Sequence, residues 1–189
     1  MPEPRIVILT APSGAGKTTL ARRLQEALPQ LRFSVSATTR PPRPGEQHGV
    51  DYYFLSEEEF RHLLEQGELI EYEEVYPGRF YGTLRREVEK ASRTQPVLLD
   101  IDVKGALRVK EQFGDEAFAI FVRPPSLETL AERLRHRGTE DEASLRQRLE
   151  RARMELSLAD RFDAVVINDD LERAAAETLH LVRSFLNRP

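Results

Sequence analysis

The stretch Ala11-Pro-Ser-Gly-Ala-Gly-Lys-Thr18 constrains this chain more than any other. It follows the apolar run Ile6–Leu9 and leads through Thr19-Leu20-Ala21 into a helix-period segment. A phosphate-binding loop has the pattern G-x-x-x-x-G-K-[ST] between a strand and a helix. Its backbone N–H groups and the helix N-terminus form a nest for phosphate oxygens. Glycines permit left-handed backbone angles and close approach. In such a loop Lys17 reaches the β/γ-phosphates of a nucleoside triphosphate and the Thr18 hydroxyl ligates Mg²⁺. The triphosphate-binding residues expected here are Ala11, Pro12, Ser13, Gly14, Ala15, Gly16, Lys17, Thr18 and Thr19. The strict pattern fails at Ala11. An ordinary glycine-rich turn is the rival, but Lys followed by Thr at a helix start is the phosphate chemistry itself.

Five short apolar runs stand out: Ile6–Leu9, Phe33–Val35, Val97–Leu99, Phe118–Val122 and Ala164–Ile167. Rich in Val, Ile and Phe, they suit strands buried on both faces, as in a parallel sheet. Helix-period stretches cover Thr18–Leu28, Val103–Gln112, Ser126–Arg137, Glu140–Leu158 and Leu171–Leu186. The alternation predicts an α/β fold, a doubly wound parallel sheet, in one domain. Residues 38–82 break the rhythm. They open with Arg-Pro-Pro-Arg-Pro-Gly, which is neither helix nor central strand, and they hold all five tyrosines. We expect an inserted small lobe over 38–82 with short strands and a helix at Glu57–Gln66, a core over 1–37 and 83–189, and Tyr53, Tyr72 and Tyr76 in the lobe's own core. Ser56 with Glu59, and Thr139 with Glu142, read as capping boxes. Asp100 ends an apolar strand, where a P-loop protein holds its metal directly or through water; a simple strand terminator is the alternative.

Composition removes other classes. The 189 residues suffice for a real core. No run approaches the roughly 18 apolar residues of a membrane span, and the first residues do not read as a signal peptide. The absence of Cys excludes disulfide frameworks and thiolate zinc sites and is compatible with a reducing cytoplasm, the expected location. A net charge of −4 argues against a broad nucleic-acid-binding face. The basic residues are 24 Arg and 4 Lys. Codon bias or ion-pair networks explain most of that excess, phosphate recognition the rest.

Seven blocks in order carry a resemblance. They are Phe33-Ser-Val-Ser-Ala-Thr-Thr-Arg-Pro-Pro-Arg-Pro-Gly-Glu46, Gly49-Val-Asp-Tyr52, Ile70-Glu71, Tyr81-Gly-Thr83, Leu99-Asp-Ile-Asp102, Arg137-Gly-Thr-Glu and Val166-Ile-Asn-Asp-Asp170. Together with the phosphate loop they resemble guanylate kinase over almost the whole chain. The resemblance implies a transfer of phosphate from ATP to GMP with Mg²⁺, with these small molecules as partners and no nucleic acid or membrane. A monomer or a homodimer is compatible with it. It implies that Glu71 and Asp102 read the N–H edge of guanine, with Ser36 and Thr83 on the guanine side of the pocket. Arg40, Arg43, Tyr52 and Tyr81 would hold the GMP phosphate. A lid at about 130–154 would bring Arg133, Arg137 and Arg148 onto the triphosphate. Asn168 and Asp169 would lie beside adenine, and Thr18 and Asp100 would hold the metal.

Alternatives remain at several positions. Arg40 and Arg43 could be solvated, or Pro41–Pro44 a P-x-x-P peptide ligand. Asp100 and Asp102, two apart and expected on one strand face, could exchange metal and base roles. Asn168 and Asp169 could be a strand-to-helix turn. Arg135, Arg146, Arg151 and Arg153 are expected on a solvated face. The rival functions are a P-loop kinase for another small acceptor, such as a ribose bisphosphate, and a non-catalytic scaffold module of the same fold; the intact Lys17 and Thr18 speak against the scaffold.

Overall fold

The computed structural model describes residues 5–92, 95–137 and 141–188. Gly138 and Thr139, expected to end one helix and cap the next, lie outside the described residues.

Among the described residues, nine strands and seven α-helices follow in order: β1 (Ile6–Thr10), α1 (Lys17–Ala27), β2 (Arg32–Phe33), β3 (Ala37–Thr38), β4 (Tyr53–Phe54), α2 (Glu57–Glu65), β5 (Leu69–Tyr76), β6 (Arg79–Leu84), α3 (Arg85–Ser92), β7 (Val97–Asp100), α4 (Val103–Phe113), β8 (Ala117–Arg123), α5 (Leu127–His136), α6 (Glu142–Leu156), β9 (Ala164–Ile167) and α7 (Leu171–Leu186). The five apolar runs form one parallel sheet, order β2-β7-β1-β8-β9. The first strand is central, and Ile6, Val7, Ile8 and Leu9 are fully buried. Side chains alternate across a strand. Val7 and Leu9 therefore pack with residues of α1 and α7, while Ile6 and Ile8 pack with Val103, Ala106 and Val109 of α4. Burial on both faces is why these strands carry continuous apolar runs and not an alternating pattern.

The second sheet, order β4-β3-β6-β5, comes from residues 37–84. Its small core joins Ala37, Phe60, Leu69 and Leu84, with Tyr53, Leu63 and Phe80 against them. The helix α2 starts as its capping box directs. Ser56 Oγ accepts from the Glu59 amide at 3.1 Å, and the Glu59 carboxylate accepts from the Ser56 amide at 2.7 Å. Ser56→Ala should destabilise the protein by about 1 kcal/mol, read as a lowered denaturation midpoint with an unchanged slope.

Several expectations are corrected. The strand foreseen at Phe33–Val35 is two residues long, Arg32–Phe33. The helix α3 was not foreseen. Its buried Val88 joins the core beneath the parallel sheet. The helix α6 is capped by Asp141, which accepts from the Ser144 amide at 2.7 Å. Tyr72 is exposed, on the outer side of β5, and Tyr76 faces the helix α6; only Tyr53 of the three packs in the lobe core.

Candidate active site

The loop after β1 and the ends of β7 and β8 lie at the carboxyl edge of the parallel sheet, where open α/β sheets place their ligands. Gly14 and Gly16 have φ of 89° and 90°, conformations closed to other residues at little cost. Gly16 also needs to be small, because a Cβ there would lie 2.3 Å from Asn168 Nδ2. Among the described residues, all non-glycine φ angles are negative. Ala11 therefore fills the first motif position without strain. The helix α1 begins at Lys17 with no side-chain cap and no acidic residue in its first turn. Its first amide donors and its dipole are thus left to an anion.

Lys17 Nζ lies 2.6 Å from Asp100 Oδ1 and donates to the Ile101 carbonyl at 3.1 Å. Burial works against the charge of Lys17, but the Asp100 carboxylate holds the ammonium above its ordinary value. Thr18 Oγ1 donates to Asp100 Oδ2 at 3.2 Å. Two hard oxygen groups thus stand side by side at the mouth of the nest. This donor set fits Mg²⁺, which takes one or two protein oxygens, keeps waters and shares substrate phosphates. Among the described residues no cluster of three or more Asp, Glu, His or Cys offers an all-protein metal cage.

A single cleft runs from this loop to the second sheet. Ala11, Pro12, Ser13, Gly14, Ala15, Gly16, Lys17, Thr18 and Thr19 line one end. Ser36, Arg40, Arg43, Tyr52, Glu71, Tyr81, Asp100 and Asp102 line the rest, together with Arg137 and Arg148. Glu71 stands opposite Thr83 across the β5–β6 ladder, and Thr83 Oγ1 donates to its Oε1 at 2.5 Å. Oε2 is buried and has no hydrogen-bond partner. Gly105 allows this approach, because a Cβ there would fall 2.4 Å from Oε2. Burial, reinforced by the Asp102 charge, pushes the Glu71 carboxyl up to about 8.

The two aspartates do not share a strand face as expected. The strand β7 stops at Asp100, and Asp102 caps α4 by accepting from the Gly105 amide at 3.2 Å. The break in the strand sends Asp100 to the phosphate loop and Asp102 toward Glu71.

Arg40 is buried, which removes its solvated alternative. Its guanidinium makes two bonds of 2.9 Å to the Glu46 carboxylate and donates to Tyr81 Oη at 3.2 Å. It also lies over the rings of Tyr52 and Phe54. That fork drives the Glu46 carboxyl below its usual range. Arg43 is exposed, and its amide donates to Glu46 at 2.7 Å.

Four of the expected residues do not line the cleft: Arg133, Asn168, Asp169 and the buried Thr83, which reaches it only through Glu71. Arg133 Nη2 donates to the Asn168 carbonyl at 3.0 Å, and Asn168 Nδ2 braces the loop by donating to Ala15 O at 2.8 Å. Asp169 pairs with Arg173. Conversely, Arg151 and Glu155 line the cleft, against the expectation of a solvated face for Arg151. Arg151 Nε is 2.9 Å from Glu155 Oε1, and Nη1 donates to Val75 O at 2.9 Å. Glu155 is 3% exposed, and burial raises its carboxyl to about 7 against the pull of Arg151. Glu at i+4 from Arg was visible in the sequence, but the burial of the pair was not.

A phosphate nest on a parallel sheet, facing a second lobe with an enclosed carboxylate, defines a P-loop phosphotransferase acting on a small acceptor. The guanylate kinase family model matches residues 3–185, and the chain belongs to that family. It is 62% identical to a guanylate kinase of Salinibacter ruber over 187 residues, 99% of this chain and 100% of that protein. It is 48% identical to one of Bacteroides thetaiotaomicron, over 97% of this chain and 91% of that protein. The crystal structure of guanylate kinase from Anaplasma phagocytophilum matches with a TM-score of 0.81 and 35% identity, over 98% of this chain and 88% of that one. A shikimate kinase of Bacteroides thetaiotaomicron, at a TM-score of 0.52 and 16% identity, shares the fold alone. The protein is thus a nucleoside monophosphate kinase.

Proposed function

We propose that the protein transfers the γ-phosphoryl group of ATP to GMP, giving ADP and GDP, with the residues of this cleft in the following roles. The loop Ala11–Thr19 and the N-terminus of α1 receive the triphosphate, and Lys17 neutralises the β/γ-oxygens. Thr18 and Asp100 would hold Mg²⁺, which supplies charge neutralisation on the phosphates. Arg40, Arg43, Tyr52 and Tyr81 hold the GMP phosphate in line with the γ-phosphate, and Glu46 keeps the Arg40 guanidinium in place. Transfer is direct, since phosphoryl transfer needs positioning and charge stabilisation more than covalent chemistry.

The observation that carries the acceptor is Glu71 Oε2, a buried acceptor without a partner. An enclosed carboxylate oxygen calls for an N–H donor. Guanine offers N1–H and N2–H₂ together, whereas adenine presents the N1 acceptor, which a carboxylate repels. Ser36, Asp102 and the Thr83–Glu71 bond complete the pocket. A ribose bisphosphate offers hydroxyls but no paired, planar N–H donors, and would not need this pocket.

Residues 38–82 are the GMP-binding lobe and about 130–154 the lid. Closure of the lid swings Arg133 off Asn168 to join Arg137 and Arg148 on the transferring group, and excludes water that would hydrolyse ATP. Asn168 and Asp169 flank adenine. No helix among the described residues is long and apolar enough to cross a membrane; we assign the protein to the cytoplasm, as a monomer or homodimer.

Purified protein with ATP and Mg²⁺ should release ADP with GMP and at most slowly with AMP, CMP, UMP or dTMP. Turnover with AMP or dTMP and none with GMP would overturn the assignment.

A further inference from the structure

We infer that Arg151 is a positioning residue for Arg148: it fastens helix α6 to the tip of the β5–β6 hairpin and, through Tyr76, sets Arg148 against the phosphate-binding loop. The inference rests on the phosphoryl-contacting role proposed above for Arg148.

Arg148, Arg151 and Glu155 follow one another at i+3 and i+4, so they share one face of α6, and all three line the cleft. Arg151 is held at two points. Its Nε meets Glu155 on its own helix, and its Nη1 meets the Val75 carbonyl at the end of β5. The side-chain exposures of Arg151 and Glu155 are 15% and 4%. A guanidinium so enclosed, with a rigid fork on two acceptors, fixes the separation between helix and hairpin in a way a surface pair does not.

The next residue along the hairpin, Tyr76, links the two arginines. The guanidinium carbon of Arg148 lies 5.6 Å from its ring centroid and that of Arg151 lies 5.9 Å from it. Arg148 Nη1 in turn is 3.3 Å from Ser13 Oγ in the phosphate loop. Val75, Tyr76, Arg151, Arg148 and Ser13 thus form a continuous set of contacts from the acceptor lobe through the lid helix to the donor site. Of the two like charges on this ring, Glu155 compensates that of Arg151, and the Val75 carbonyl fixes its direction. Without Arg151 the ring and the helix lose their common anchor, and Arg148 loses its aim.

A double-mutant cycle decides whether Arg151 acts through Arg148. Arg151→Ala should lower kcat by about ten- to a hundredfold, the scale of loss from misplacing a catalytic group, with KM for ATP and GMP within about twofold. Arg151→Lys keeps the charge but cannot fork to both acceptors, and should recover only part of the loss. In an Arg148→Ala background, Arg151→Ala should change kcat by less than about twofold. Tyr76→Leu, which leaves both Arg151 bonds in place, serves as the second probe and should also lower kcat in the parent and not in Arg148→Ala. Additive losses would mean that Arg151 meets substrate on its own account and would overturn the inference, as would an Arg151→Ala protein with unchanged kcat. A kinetically silent Arg148→Ala would sink the role given to Arg148, and this inference with it. Absence of GMP phosphorylation by the parent protein would instead sink the assigned reaction.

Discussion

Lys17→Met should leave a folded protein that transfers no measurable phosphate. Removing one well-placed donor from a preorganised anion site costs about 10²–10³ in rate. Lys17 supplies a full charge, so we expect a loss of kcat of at least about 10³-fold. The fold should persist, because the core beneath the loop is built by Val7, Leu9, Leu20 and Leu24, none of which depends on the ammonium. The substitution does leave the Asp100 carboxylate, 8% exposed at its side chain, without its cation. Thr18 remains to donate to it, and water can enter from the open cleft, so the melting temperature should fall only modestly. The check is ADP release in a coupled assay beside a thermal melt by circular dichroism. A variant that keeps more than a tenth of the parent kcat would remove Lys17 from the chemistry.

The second large effect belongs to Glu71. Glu71→Gln replaces a carboxylate, acceptor-only in its ionised form, by an amide whose N–H₂ must point at Thr83 or at the proposed guanine edge. Either choice sets donor against donor or loses one guanine bond. Sites built around such polar pairs discriminate by 10⁴–10⁵ when a partner group is missing, and less when it is only exchanged. We expect kcat/KM for GMP to fall by about 10²–10³, with KM for ATP within about twofold. Equal losses on both substrates would contradict a base-reading role.

The same carboxyl supplies a pH dependence. Folding raises it from 4.5 to about 8. Between those values the folded, ligand-free protein keeps a proton that the unfolded chain has released. Its contribution to stability is therefore full below about pH 4.5 and is lost as pH rises through about 8. In the proposed role Glu71 binds guanine in its ionised form, so KM for GMP should fall as pH rises toward 8, and Glu71→Gln should flatten that limb of the profile. A parent profile that is flat across this range would show that Glu71 does not titrate on the path to the complex.

Local chemistry was legible in the chain as written. The strand Ile6–Thr10, the two left-handed glycines, Lys17 and Thr18 at a helix start, and the Ser56–Glu59 box all depend on neighbours within a few residues. Hydrophobic period, backbone φ and capping act at that range. The five parallel strands were legible for a related reason, because burial on both faces demands near-continuous Val, Ile, Leu and Phe whatever the order of the strands.

The separate placement of Asp100 and Asp102 was not legible, since it turns on whether the backbone leaves the strand between them. Nor was the burial of Arg151 and Glu155. The segment Arg146–Leu156 carries charge on nearly every side, and nothing local distinguishes a solvated Arg from one that will meet Val75. The same holds for Tyr76, indistinguishable in sequence from the core tyrosine Tyr53.

By itself, then, the sequence determined that this chain makes a phosphate nest on a buried parallel sheet and carries the residues we propose for a guanine pocket. Tertiary structure alone decided that Arg151 faces the cleft and that Arg133 does not. It did so through contacts such as Arg133 to Asn168 and Arg151 to Val75, which join residues 35 and 76 positions apart. A guanidinium can bind water or buried acceptors, and only the packing of helix α6 against the β5–β6 hairpin takes Arg151 out of water.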